Sequence, residues 1–168
     1  MNTKRAAAYK SPSAGDYLIA SKSCELMNLQ YFLQMGKLVQ CISNLVHALQ
    51  CERGASNVFL GSSGEKFAQE RKHLVATSDR HQELTAHPVS SRLLNQLASA
   101  LHGLEVLPEL RRCVVARKVT AASATEDYST LIHNLIAVVF EAADTAVDPT
   151  IAGLLVAMVH LMNGKEFC

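Results

Sequence analysis

YFLQMGKLVQCISNLVHALQ, residues 31–50, decides the fold. Tyr31, Met35, Leu38, Ile42, Leu45 and Leu49 recur at steps of four, three, four, three and four, which is one apolar face of a long amphipathic helix. A half-buried strand would alternate by two, and this stretch does not. The turns that follow are less ordinary. CERGASNVFL, residues 51–60, sets Glu52, Arg53, Gly54 and Ser56 on the same helix before Val58, Phe59 and Leu60 resume the apolar character.

Outward from this helix the remaining segments read the same way. Residues 1–22, rich in Ser, Lys, Ala and Gly and without periodicity, are expected to be a flexible leader, leaving 23–168 as one helical domain. A Gly-Ser-Ser-Gly turn at 61–64 leads to a polar helix from about Glu65 to Leu84, ending before Pro88. Leu94, Leu97, Leu101 and Leu104 mark a third helix, started by Ser90 or Ser91 and stopped near Pro108, and ELRRCVVARK is a shorter piece after it. Ser123 with Glu126 has the spacing of a capping box, and Tyr128, Leu131, Leu135, Val138 and Ala142 line the helix behind it. Asp148 and Pro149 read as an N-cap with proline at the first helical position. The final helix, with Ile151, Leu154, Leu155, Met158 and Met162 as its apolar residues, reaches Cys168 without a stop signal. The chain is therefore expected to be cut inside a helix, leaving Met158, Met162 and Phe167 short of neighbours.

Composition agrees with an all-α fold, which the helical segments make an antiparallel bundle. Aromatics are 5%, Trp is absent, and only four Pro and eight Gly occur in 168 residues. A chain of this length can bury roughly two thirds of its unfolded surface, enough for one core. With 49% hydrophobic and 18% charged residues and a formal net charge of +1, neither a disordered segment nor a dedicated nucleic-acid or membrane-surface binder is indicated. Cys24, Cys41, Cys51, Cys113 and Cys168 are odd in number and lack any C-x-x-C pair, so they read as small apolar residues in a reducing, cytoplasmic compartment. The longest apolar run, Ile151 to Met162, falls short of the ~20 residues that span a bilayer.

Chemistry is sparse. His47, His102, His133 and His160 sit one per helix in apolar surroundings, but His47 and His133 each lie two residues from flanking leucines and so point about 160–200° away from their helix's stripe. Surface histidines are the expected reading. Glu70 and His73 form a single Glu-x-x-His, and a di-metal bundle needs two, so a solvated helix face is expected there. No phosphate loop, nucleophile elbow or supported Cys-His pair occurs, so no enzymatic activity, cofactor or metal is indicated.

Arg53 stands apart. It follows Leu49 by four residues, and Ser56 follows Arg53 by three, so both fall on or beside the apolar stripe. A desolvated guanidinium needs a partner. One candidate is an internal carboxylate such as Glu141 or Asp144, which makes the chain a helical interaction or dimerisation module. The other is a small planar oxyanion held bidentately, with Gly54 admitting it to the backbone and the Ser56 hydroxyl donating to it.

LVHALQCERGASNVFLGSSGEKFAQER, from Leu45 to Arg71, resembles the signature of the NIT domain, the nitrate- and nitrite-sensing domain of bacterial regulators. LIHNLIAVVFEAADTAVDP and LMNGKE are similar to cytoplasmic nitrate regulatory proteins, and the resemblance spans about 24–168. It implies a helical sensor of two four-helix bundles that holds nitrate or nitrite between arginines and controls an output, such as an RNA-binding antiterminator module. The first arginine motif matches here as Arg53 with Gly54 and Ser56. The second would follow Lys165-Glu166, beyond this chain. The implied partners are nitrate or nitrite and a second copy in a homodimer, with RNA reached only through an output domain absent from these 168 residues.

Overall fold

The computed structural model describes residues 11–62, 64, 67–81, 91–144, 146 and 149–164, and the side chains of residues 80, 81, 91 and 92 are outside that description. The described residues form six helices and no strand: α1 (Ala14–Gly61), α2 (Ala68–His81), α3 (Ser91–Leu104), α4 (Leu107–Val115), α5 (Ala121–Asp144) and α6 (Pro149–Gly164). The all-α bundle expected from the periodicity is the fold observed. Helix α5 is its hub, packed against α1, α3 and α6, while α2 lies along α1. The core joins the α1 stripe from Met35 to Phe59 to Leu93, Leu97, Leu107, Leu110, Tyr128, Ile132, Leu135, Leu155 and Met162.

Helix α1 starts earlier than its periodicity suggests, inside the stretch read as a flexible leader. Ser13 is its N-cap: the Ser13 hydroxyl accepts the Asp16 N–H at 3.3 Å, and the Asp16 carboxylate accepts the Ser13 N–H at 2.7 Å. This reciprocal box satisfies end donors locally, so the helix begins without needing a packed face. Residues 14–30 are exposed throughout, including Tyr17, Leu18, Ile19, Leu26, Met27 and Leu29, and burial begins only at Met35. At 1.5 Å per residue those seventeen residues extend α1 by about 25 Å beyond its packed part.

Two other boundaries differ from the sequence reading. Pro108 lies in the first turn of α4 and does not end α3, which stops at Leu104. The cap of α5 is Thr120, whose hydroxyl accepts the Ser123 N–H at 3.1 Å, so Ser123 lies within the first turn. Thr120 directly precedes the first helical residue, Ala121, which is where a cap hydroxyl meets the orphaned N–H groups of the first turn. Helix α4 ends in a Schellman arrangement, with Lys118 N–H donating to Cys113 O at 2.9 Å, Arg117 N–H to Val114 O at 3.0 Å, and Arg117 itself at φ 54°. The Asp148 cap and the segment 165–168 lie outside the described residues.

Candidate functional site

The apolar stripe of α1 continues past Leu49 at the same steps, and its next positions are Glu52, Ser56 and Phe59. All three are buried, Glu52 and Ser56 to 0% exposure. The charged residue inside the seam is therefore Glu52, while Arg53, one residue later, is only half-buried.

Burying a carboxylate is costly unless its oxygens are met, and here they are. Arg111 on α4 forks onto it, Nε donating to Oε1 and Nη2 to Oε2, both at 2.8 Å. Tyr128 on α5 donates its hydroxyl to Oε1 at 2.7 Å. The remaining Arg111 terminus, Nη1, pairs with Asp79 of α2 at 2.5 Å. One buried carboxylate thus ties α1 to α4 and α5, and through Arg111 to α2. Burial alone would lower the Arg111 pKa, but the hydrogen bonds and charges of Glu52 and Asp79 prevail and hold it above its ordinary value. The Tyr128 phenol is pushed upward by burial first, then by the Glu52 charge and by its hydrogen bond to Glu52.

Arg53 faces α5, where its Nη1 donates to the Ser129 hydroxyl at 2.8 Å. This position excludes Glu141 and Asp144 as its partners. Glu141 lies twelve residues beyond Ser129 on the same straight helix, about 18 Å along the axis, which exceeds the reach of the two side chains. Ser56, one turn after Arg53, also faces α5: its hydroxyl is sealed from solvent without a partner of hydrogen-bonding geometry, although it lies close enough to Tyr128 to favour the phenolate slightly. Gly54 faces elsewhere. It lines a groove of about 680 Å³ with Val58 and with Phe67, Glu70 and His73 of the α2 side, and a Cβ there would meet nothing within 4 Å. The structure brings Arg53 and Ser56 to one seam and sets Gly54 on another face.

His47, His102, His133 and His160 are all exposed on their own helices, as are Glu70 and His73. Among the described residues no three of His, Cys, Asp and Glu converge as a metal group, and no helix is long and apolar enough to cross a membrane.

The sequence and this geometry have matches among known proteins. A family model described as nitrate and nitrite sensing, NIT, matches residues 44–168, from just before the buried Glu52 through the end of the chain. This chain belongs to the NIT family. A nitrate regulatory protein of Klebsiella oxytoca is 36% identical over 166 residues, covering 95% of this chain and 42% of the relative. The solved structure of the NasR transcription antiterminator superposes with a TM-score of 0.79 at 36% identity, covering 92% of this chain and 44% of that one. The chain spans less than half the length of these relatives. NIT membership makes it a regulatory sensor domain and not an enzyme.

The Glu52–Arg111 pair is what reading the sequence missed, although half of it had a signal. Counting 45, 49, 52, 56, 59 in continuation of the earlier steps puts Glu52, not Arg53, on the buried line. No local pattern marks Arg111 over Arg112 or Arg53 as its partner, because the pairing joins residues 59 apart.

Proposed function

We propose that this NIT domain binds nitrate or nitrite at the α1–α5 seam and passes occupancy to an output domain in transcription antitermination, acting in the cytoplasm. The carrying observation is the 36% identity to a nitrate regulatory protein across 95% of this chain, which includes the ERGAS stretch. Arg53 is the anion ligand in this reading. Its guanidinium is half-buried at the edge of the core and donates to Ser129 of α5, and its planar fork suits the bidentate geometry of a small oxyanion. Ser56, a buried hydroxyl one turn on without a hydrogen-bond partner, is the second donor to the ion in this reading. Gly54, on the α2 side, contributes by keeping the helix surface open beside Arg53. An output domain, RNA contact through it and a homodimeric partner are part of the same proposal.

The test is nitrate titration followed by calorimetry, with thermal melting of the wild type and Arg53→Ala in the presence and absence of millimolar nitrate. A ligand that binds only the folded state raises its stability by mass action. Loss of a charge-assisted bidentate contact is worth about 1.5–3 kcal/mol, so Arg53→Ala should weaken nitrate binding at least about tenfold. An equal nitrate response in both proteins, or none in a chain extended through the second arginine motif, would end this reading.

A further inference from the structure

Arg71 of α2 is 6% exposed, and its Nε and Nη1 have no hydrogen-bond partner. Among the described residues, its guanidinium stacks over the Phe59 ring at 5.4 Å from the centroid. A buried guanidinium with two nitrogens unmet retains donor capacity along that edge, which a π contact does not fill. The described carboxylates on the cleft's other arginines are engaged there: Glu52 and Asp79 bond Arg111, and Glu109 bonds Arg112.

Arg71 also lines a cleft between α2 and α4 of about 510 Å³. Lys72, Arg111 and Arg112 share its wall, and Val75, Pro108 and Val115 supply apolar surface. The described lining thus contains cations and apolar groups and no acid. This volume lies within the roughly 300–1,000 Å³ of small-molecule sites, and a four-atom ion such as nitrate would leave most of it empty. The cleft is also separate from the α1–α5 seam that Arg53 faces.

We propose that the α2–α4 cleft is a second binding site, for a small organic monocarboxylate with an apolar body whose charge is taken by Arg71. The class follows from the lining. Among the described residues no carboxylate pairs with the Arg71 guanidinium, so a single negative charge completes it, and planar N–H groups match a planar carboxylate better than a tetrahedral phosphate. The body of the ligand replaces water against Val75, Pro108 and Val115, which a bare anion cannot do. Because Nε and Nη1 are themselves out of solvent contact, binding requires the guanidinium to rotate about its last torsions and present its edge to the cleft.

Benzoate is the probe, titrated to millimolar concentration into the isotope-labelled full chain and followed by two-dimensional NMR. Benzyl alcohol serves as the uncharged shape control and nitrate as the bare-anion control. The expected result is saturable movement of the backbone resonances of residues 71–75 and 108–116 with benzoate alone. Affinity should fall at least tenfold in Arg71→Gln. Ala116→Phe, at the exposed end of α4 on the cleft wall, should block binding while leaving the melting temperature unchanged. If Arg71→Gln does not fold, Ala116→Phe and the alcohol control decide. Failure of benzoate to saturate, an equal response to benzyl alcohol, undiminished binding in either variant, or the same resonances moving with nitrate would each overturn the proposal. Because none of these readouts uses Arg53, failure here leaves nitrate sensing at the seam untouched.

Discussion

Arg111→Met tests the central electrostatic feature of the fold. The substitution keeps an unbranched side chain of similar reach but removes both donors to Glu52, whose carboxylate is 0% exposed. Of its three charge-satisfying bonds only the one from Tyr128 remains. Arg111 has 12% side-chain exposure, so water does not readily replace it. Stranding one member of a buried pair costs about 3–5 kcal/mol, a large part of the roughly 5–15 kcal/mol that holds an ordinary domain together. For a chain of this size that is a fall of about 6–20 °C in Tm. The assay is urea and thermal unfolding of wild type, Arg111→Met, Glu52→Leu and the double variant as a double-mutant cycle. The double variant should be markedly more stable than Arg111→Met alone, because removing both charges leaves nothing stranded. An Arg111→Met protein within 1 kcal/mol of wild type, or a double variant no better than the single, would refute the reasoning by showing that Glu52 does not depend on Arg111.

Three further outcomes are expected. Tyr128 has a pKa raised above 10.0, so its contribution is fully present below that pH and is lost as the pH climbs beyond it; Tyr128→Phe should flatten the alkaline fall in stability, and the late phenolate absorbance near 295 nm should vanish with it. Gly64 has φ +89°, and a Cβ there would meet Phe59 Cζ at 3.3 Å, so Gly64→Ala should cost about 1 kcal/mol or somewhat more in urea unfolding, and an unchanged midpoint would deny the strain. Asp16 is held below its ordinary 3.8 first by the Ser13 backbone hydrogen bond and then by the Ser13 hydroxyl; the cap's contribution is therefore complete above that pH and is lost as the pH falls through the lowered value, and Ser13→Ala should speed amide exchange over 14–20 while leaving global unfolding alone, since that part of α1 is unpacked.

The helices were legible in the sequence because helicity and amphipathicity are local. Met35, Leu38, Ile42, Leu45 and Leu49 announce α1 through their spacing alone, and Leu94, Leu97, Leu101 and Leu104 announce α3 as a helix, although its buried face is Leu93, Leu97, Ala100 and Leu104 while Leu94 and Leu101 are exposed. The family was legible as well, since ERGAS and the segments after it are a contiguous pattern. Neither kind of signal says which face of α1 meets which helix. Arg53 and Glu52 are neighbours in the chain and lie about 100° apart around the axis, so only the packing of α5 and α4 on α1 made one a half-buried cation at Ser129 and the other a sealed carboxylate under Arg111. Arg71 is the same lesson in reverse. Within Glu70-Arg71-Lys72-His73 it reads as one charge on a solvated face, and it is buried because Phe59, at the far end of α1, turns back over it. What the chain could do locally was written in its periodicity. Which charges it desolvated depended on contacts between residues far apart in sequence, and desolvation is what distinguishes a structural charge from a surface one.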